Sequence, residues 1–236
     1  MLLHGVGVGP ASFARVAALL GDRHRVVCLE RPVGPGGTAL PVDRQADLLA
    51  ERLRALGEGG ALVVGVSGGA TLGLSLAIRH PALVPAMVLH EPLVGALAPE
   101  LHQRFRLAAA QAAEGEEEAM AIVRAVMGEA AWESLRPEGR ADARAAAGRW
   151  RGEIAEFAAF DPQVDELAGL TAIPSLVTVG GRSGPERWAA AEVLRRWAGA
   201  HVSVVPDAGN AAQIDAPAAF AHQIASWTPV PSGGAP

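Results

Sequence analysis

Lysine and tyrosine are absent from this 236-residue chain, and cysteine occurs once. A single thiol excludes an intrachain disulfide. Cys28 lies in the apolar run Val26-Val27-Cys28-Leu29, where a buried structural thiol is expected, because a reactive one needs an electropositive, partly exposed setting. The lysine-free, alanine-rich composition reads as genomic base bias. The formal net charge of −5 argues against a nucleic-acid backbone as partner. No basic region and long apolar core open the chain, so no secretory signal is read and a cytoplasmic location is expected. No spacing of His, Cys, Asp and Glu suggests a metal site. The glycine-rich stretches match no P-loop, and Gly5-Val6-Gly7-Val8-Gly9 lacks the spacing and acidic partner of a dinucleotide fingerprint. No cofactor is therefore expected. Residues 61–78 carry no charge and are long enough to suggest a membrane span. However, Gly65, Ser67, Gly68, Gly69 and Thr71 interrupt the run, and Arg79-His80-Pro81 closes it. A strand, a tight turn and a buried helix are expected there instead, with no membrane partner.

What the chain does contain is alternation. Half of its residues are hydrophobic, and short apolar runs alternate with helical stretches, the pattern of a mostly parallel sheet covered by helices on both faces. Strands are predicted at Leu2–His4, Val26–Leu29, Leu62–Val66, Ala86–His90, Ser175–Val179 and Val202–Val205. Helices are predicted near 10–20, 43–57, 68–80, 186–199 and 216–227. Between 93 and 170 no strand-like run occurs. Apolar residues at helical spacing (Ala119, Ile122, Val123, Val126) predict three or four inserted helices, with Glu114, Glu116, Glu117 and Glu118 at a helix start, where carboxylates suit the helix dipole. The expected organisation is an α/β core of residues 1–92 and 171–228, a helical cap of 93–170 and a flexible tail of 229–236.

Gly65-Val66-Ser67-Gly68-Gly69 fits G-x-S-x-G between an apolar strand and a helical stretch. In such an elbow the chain reverses from strand to helix at the serine, and small neighbours let the two elements approach. His4-Gly5 follows the first apolar run. Glu30-Arg31-Pro32-Val33-Gly34 and His90-Glu91-Pro92-Leu93 follow two others. With these motifs the sequence resembles the α/β-hydrolase superfamily over nearly its whole length. The resemblance implies that the amides of Val6 and Gly68 form an oxyanion hole. It also implies two further strands before the His4-Gly5 strand; either they are absent or the natural chain starts earlier, and an exposed sheet edge would otherwise favour a covering segment or a homodimer.

The resemblance further implies an acid and then a histidine downstream of the serine. The acid belongs in a G-x-x-D pattern, but Gly180-Gly181-Arg182-Ser183 puts Ser183 there. The histidine belongs in a G-H turn, but Ala208-Gly209-Asn210 puts Asn210 there. An amide cannot accept and return a proton as imidazole does. Glu91, after the strand that follows the elbow helix, is a candidate relocated acid; the alternative is a local pairing, for instance with an arginine. His4, His90 and Arg182 are candidate substrate contacts, although His4 also suits a structural turn and His90 should point away from Glu91. His24, His80, His102, His201 and His222 look peripheral.

Three functions stay open. The first is an enzyme acting on a small apolar carbonyl compound by isomerisation, cyclisation, epimerisation, elimination or cofactor-free oxidation, using Ser67, Asn210 and the oxyanion hole. The second is a slow ester or lactone hydrolase using Ser67 with Glu91. The third is a non-catalytic ligand-binding pseudoenzyme.

Overall fold

A computed structural model describes residues 1–57, 59–135, 137–145 and 147–227; the expected tail at 229–236 lies outside them. Six strands form one parallel sheet: β1 (Leu2–Leu3), β2 (Cys28–Leu29), β3 (Val63–Val66), β4 (Met87–His90), β5 (Ser175–Gly180) and β6 (His201–Val205), in the order β2-β1-β3-β4-β5-β6. All six match predicted strands to within two residues at either end. The order reverses at β1, whose neighbours are β2 on one side and β3 on the other. In doubly wound sheets ligands bind at the strand C-termini beside such a reversal.

The central strands have no polar face because helices cover both sides. Val63, Met87, Leu89, Val177 and Val179 point to one side and share a core with Leu49, Leu53, Leu72, Leu76 and Leu194. These last five come from α2 (Val42–Ala55), α3 (Gly68–Arg79) and α10 (Pro185–Trp197). Val64, Val66, Val88 and Leu176 point to the other side. There they meet Val16 and Leu20 of α1 (Ala14–Leu20) and Phe220 and Ile224 of α12 (Pro217–Trp227). The two-residue period of a strand produces this division. α2 is amphipathic, burying Val42, Ala46, Leu49 and Leu53 at helical spacing. α3 is buried from Gly68 to Ala77. The uncharged run at 61–78 is thus β3, the elbow and α3, and no described helix is long and apolar enough to cross a membrane.

Between β4 and β5 the described residues form α4 (Pro99–Ala112), α5 (Glu116–Met127), α6 (Glu129–Ser134), α7 (Pro137–Ala145), α8 (Ala147–Ala159) and α9 (Val164–Ala168). This is more, and shorter, than the three or four helices expected. Gly128, in the left-handed region at φ 89°, ends α5 and starts α6, and Pro137 opens α7. Glu116, Glu117 and Glu118 occupy the first turn of α5. α8 packs on α4 and α5. A separate apolar cluster, including Val123, Met127, Trp132, Trp150 and Ile154, holds this layer together. The helix predicted at 216–227 is preceded by the short α11 (Ala212–Asp215).

Candidate active site

Ser67 sits between β3 and α3 at φ 53°, ψ −120°, the strained backbone an elbow requires. Its amide donates to the His90 carbonyl at 2.8 Å, which extends the β3–β4 ladder past the strand end. Two glycines make the turn possible by close approach. A Cβ on Gly65 would lie 2.4 Å from the Gly69 carbonyl oxygen, and one on Gly69 would lie 2.1 Å from the Leu3 carbonyl oxygen.

Above this turn is a cavity of about 540 Å³. Its floor includes Val6, Ser67 and Gly68, and the helices inserted between β4 and β5 supply apolar walls such as Phe105, Ile122, Val126 and Phe157. The Val6 amide donates to no described acceptor. The Gly68 amide, first in α3, has no helical carbonyl in reach. Val6 and Gly68 line the cavity beside Ser67, and Gly68 opens the positive end of α3.

Glu91 follows β4, also in the left-handed region at φ 53°. Its carboxylate is buried and crowded with donors. Oε1 accepts hydrogen bonds from the Gly180 amide at 3.0 Å and from Ser183 Oγ; Oε2 accepts from Asn210 Nδ2 at 2.8 Å. Arg187 of α10 places Nε 3.5 Å from Oε2 and stacks its guanidinium 5.3 Å from the Phe105 ring centre. Burial acts to raise the pKa of Glu91. The His90 ring, the Arg187 guanidinium and the hydrogen bonds from Ser183 and Asn210 outweigh it, and the carboxyl is held below its usual range.

The predicted residues thus divide. Ser67, Glu91, Ser183, Asn210, Val6, Gly68 and Arg182 all line the one cavity. His4 and His90, expected as substrate contacts, are not among its lining residues, and both side chains are fully buried. His90 Nε2 donates to the Gly209 carbonyl and its Nδ1 accepts from Thr178 Oγ1, each at 2.9 Å. His4 Nδ1 donates to the Gly5 carbonyl at 2.9 Å, and its Nε2 faces the Arg31 amide. Burial lowers the pKa of both rings, so both are neutral near pH 7. No histidine lines the cavity, and no described side chain hydrogen-bonds Ser67 Oγ. Cys28 is half-buried on the edge strand β2, and burial raises its thiol pKa.

Sequence reasoning passed over Arg187 and Asp215. Asp215 Oδ2 accepts from the Gly209 amide and from Arg182 Nη2, each at 2.8 Å. Arg187 pairs with Glu91 across 96 positions of sequence. Neither contact has a local signature, because α10 and α11 bring these side chains to the site only once the sheet is assembled.

The sequence profile of the alpha/beta hydrolase family matches residues 1–223. Among solved structures, a hydrolase from Pseudomonas aeruginosa superposes with a TM-score of 0.76 at 21% identity, over 97% of this chain and 89% of that one. A thermophilic esterase from Thermogutta terrifontis gives 0.73 at 22%, over 96% and 87%. The enol-lactonase from Burkholderia xenovorans gives 0.74 at 21%, over 96% and 89%. At these identities the likeness is one of fold. No curated protein matches. With the elbow at Ser67, the six parallel strands and a profile match over nearly its whole length, the chain belongs to the alpha/beta hydrolase family.

Proposed function

We propose that the chain binds a small, largely apolar carbonyl compound over Ser67 and converts it without forming an acyl-serine. The observation that carries this reading is that the carboxylate of Glu91 is engaged by Asn210, Ser183, Gly180 and Arg187, while no histidine lines the cavity. Nothing in that set can take the Ser67 proton and return it to a leaving group. What stays available is polarisation. A substrate carbonyl oxygen accepting from the Val6 and Gly68 amides gains stability as negative charge develops on it, and removing one such donor typically costs about 3 kcal/mol of transition-state stabilisation. Enolate or alkoxide character is favoured there, beside apolar walls such as Phe105 and Phe157. Isomerisation, cyclisation, epimerisation, elimination and cofactor-free oxidation are the reaction types that need this and no activated serine. Ser67 and Asn210 act in it as neutral hydrogen-bonding groups that orient the substrate.

Solved structures of similar fold include an esterase and an enol-lactonase, so ester or lactone hydrolysis is the outcome to test against. A fluorophosphonate reports it directly, because it captures a serine only as fast as that serine is activated. The expected result is slow labelling, close to that of a Ser67→Ala variant. Rapid labelling mapped to Ser67 would overturn the proposal.

A further inference from the structure

Two buried carboxylates line the cavity, Glu91 and Asp215, with side chains 0% and 4% exposed. They are held differently. Both oxygens of Glu91 are taken: Oε1 accepts from the Gly180 amide and Ser183, and Oε2 accepts from Asn210 and faces the Arg187 guanidinium. Asp215 engages its partners through Oδ2 alone, accepting from the Gly209 amide and Arg182 Nη2, each at 2.8 Å. Among the described residues nothing donates to its Oδ1. From this difference we infer that Asp215 is the proton acceptor of the cavity, and that the substrate is a carbonyl compound with a C–H bond next to the carbonyl, which Asp215 breaks. This rests on the non-hydrolytic reading above and adds to it the base and the bond.

Three considerations select Asp215 among the carboxylates of the cavity. First, a base needs an oxygen with a lone pair to spare. Four donors crowd Glu91 and hold its carboxyl below the usual range, which makes it a weak base. Second, the remaining carboxylates are tied to exposed cations. Glu129 pairs with Arg124, and both side chains are about half exposed. Glu186 pairs with the exposed Arg104 and occupies the first turn of α10, where the helix dipole favours its ionised form. Third, Asp215 is anchored without being used up. The Gly209 amide fixes Oδ2 and so orients the carboxylate. Arg182, its ion-pair partner, is more than half exposed, so water screens that charge.

The chemistry balances as follows. Oδ1 bonds to the proton as the C–H bond breaks. The freed electron pair forms a C=C bond, and the carbonyl π pair moves onto oxygen, where the Val6 and Gly68 amides meet the charge. Return of the proton from Asp215 to the far carbon of a conjugated enolate gives an isomer. Loss of a group from the adjacent carbon completes an elimination instead, and Asp215 yields the proton to water.

The test uses 5-nitrobenzisoxazole, an apolar probe of carboxylate bases. Removal of its ring C–H proton breaks the N–O bond and leaves a coloured cyanophenolate. The unaltered chain is expected to turn the probe over faster than buffer does. Asp215→Asn keeps an oxygen for the Gly209 amide but cannot take a proton, so kcat should fall about 100-fold, the lower end of what a positioned general base contributes, with KM little changed. Added formate should restore turnover to Asp215→Ala in a saturable manner, a rescue that a purely structural role of Asp215 would not produce. No turnover above buffer by the unaltered chain overturns the inference, as does a folded D215N with undiminished kcat. A loss in Glu186→Gln larger than that in D215N also overturns it, by placing the base on α10. Should D215N fail to fold, D215A with formate decides: a rise in turnover supports the inference, and no rise overturns it. Rapid fluorophosphonate labelling of Ser67 in the unaltered chain sinks the non-hydrolytic reading instead, so the two failures are distinct.

Discussion

Gly69 shows how much of this site depends on single residues. Its Cα faces the carbonyls of Leu3 and His4, and an added Cβ would lie 2.1 Å and 2.7 Å from their oxygens. Backbone on both sides cannot yield as a flexible side chain could. Gly69→Ala should therefore destabilise the fold by about 3 kcal/mol, measured as a lower urea midpoint with an unchanged m-value. The G-x-S-x-G spacing made this residue legible, because the elbow is a local motif with a local steric cause. The partners of Glu91 were not legible. That Ser183 and Asn210 both donate to Glu91 depends on the ends of β4, β5 and β6 lying side by side.

Among elements, α8 shows what holds the inserted helices to the core. Glu153 of α8 accepts from Arg31 Nη2 at 2.8 Å, with both side chains almost wholly buried, and Arg149 stands 3.4 Å away on the same helix. Arg31, in the loop after β2, also lies 5.5 Å from the Phe157 ring, which walls the cavity. A buried pair contributes little net stability, but breaking it strands a charge. Glu153→Ala should cost about 3 kcal/mol, whereas the double exchange of Arg31 and Glu153 to Met and Leu should cost much less. Chemical denaturation of both variants checks this, and equal losses would contradict it. The Glu30-Arg31-Pro32-Val33-Gly34 motif was visible in sequence. Its function as an anchor for α8 was not, because the partner lies 122 positions away. The breaks between α5, α6 and α7 fall at Gly128 and Pro137, which the helical periodicity of the apolar residues did not register.

For the whole molecule, two neutral histidines set the acid limit. His4 and His90 are buried, and burial depresses both from the ordinary value near 6.5. Unfolded, each takes up a proton as the pH falls below about 6.5; folded, each resists until lower pH. The unfolded state therefore binds more protons in that window, and stability falls as pH drops through it. Glu91 adds a loss of the same sign further down. Its folded value is depressed from the ordinary 4.5, so the stability it contributes above that value is lost as the pH approaches its folded value. Urea midpoints should be lower at about pH 5.5 than at about pH 7.5, with the unfolding free energy falling by up to about 1.4 kcal/mol per histidine per pH unit. A His90→Gln variant should show a shallower slope.

By itself the sequence determined the class of sheet, the six strand positions and the elbow. Each is written in local periodicity or in a short motif, and backbone sterics enforce these locally. Only the tertiary structure decided what surrounds Glu91, where His4 and His90 point and how Arg31 secures α8. Those contacts join residues far apart in sequence, and their energies come from burial, which has no meaning until the sheet has brought the strand ends together.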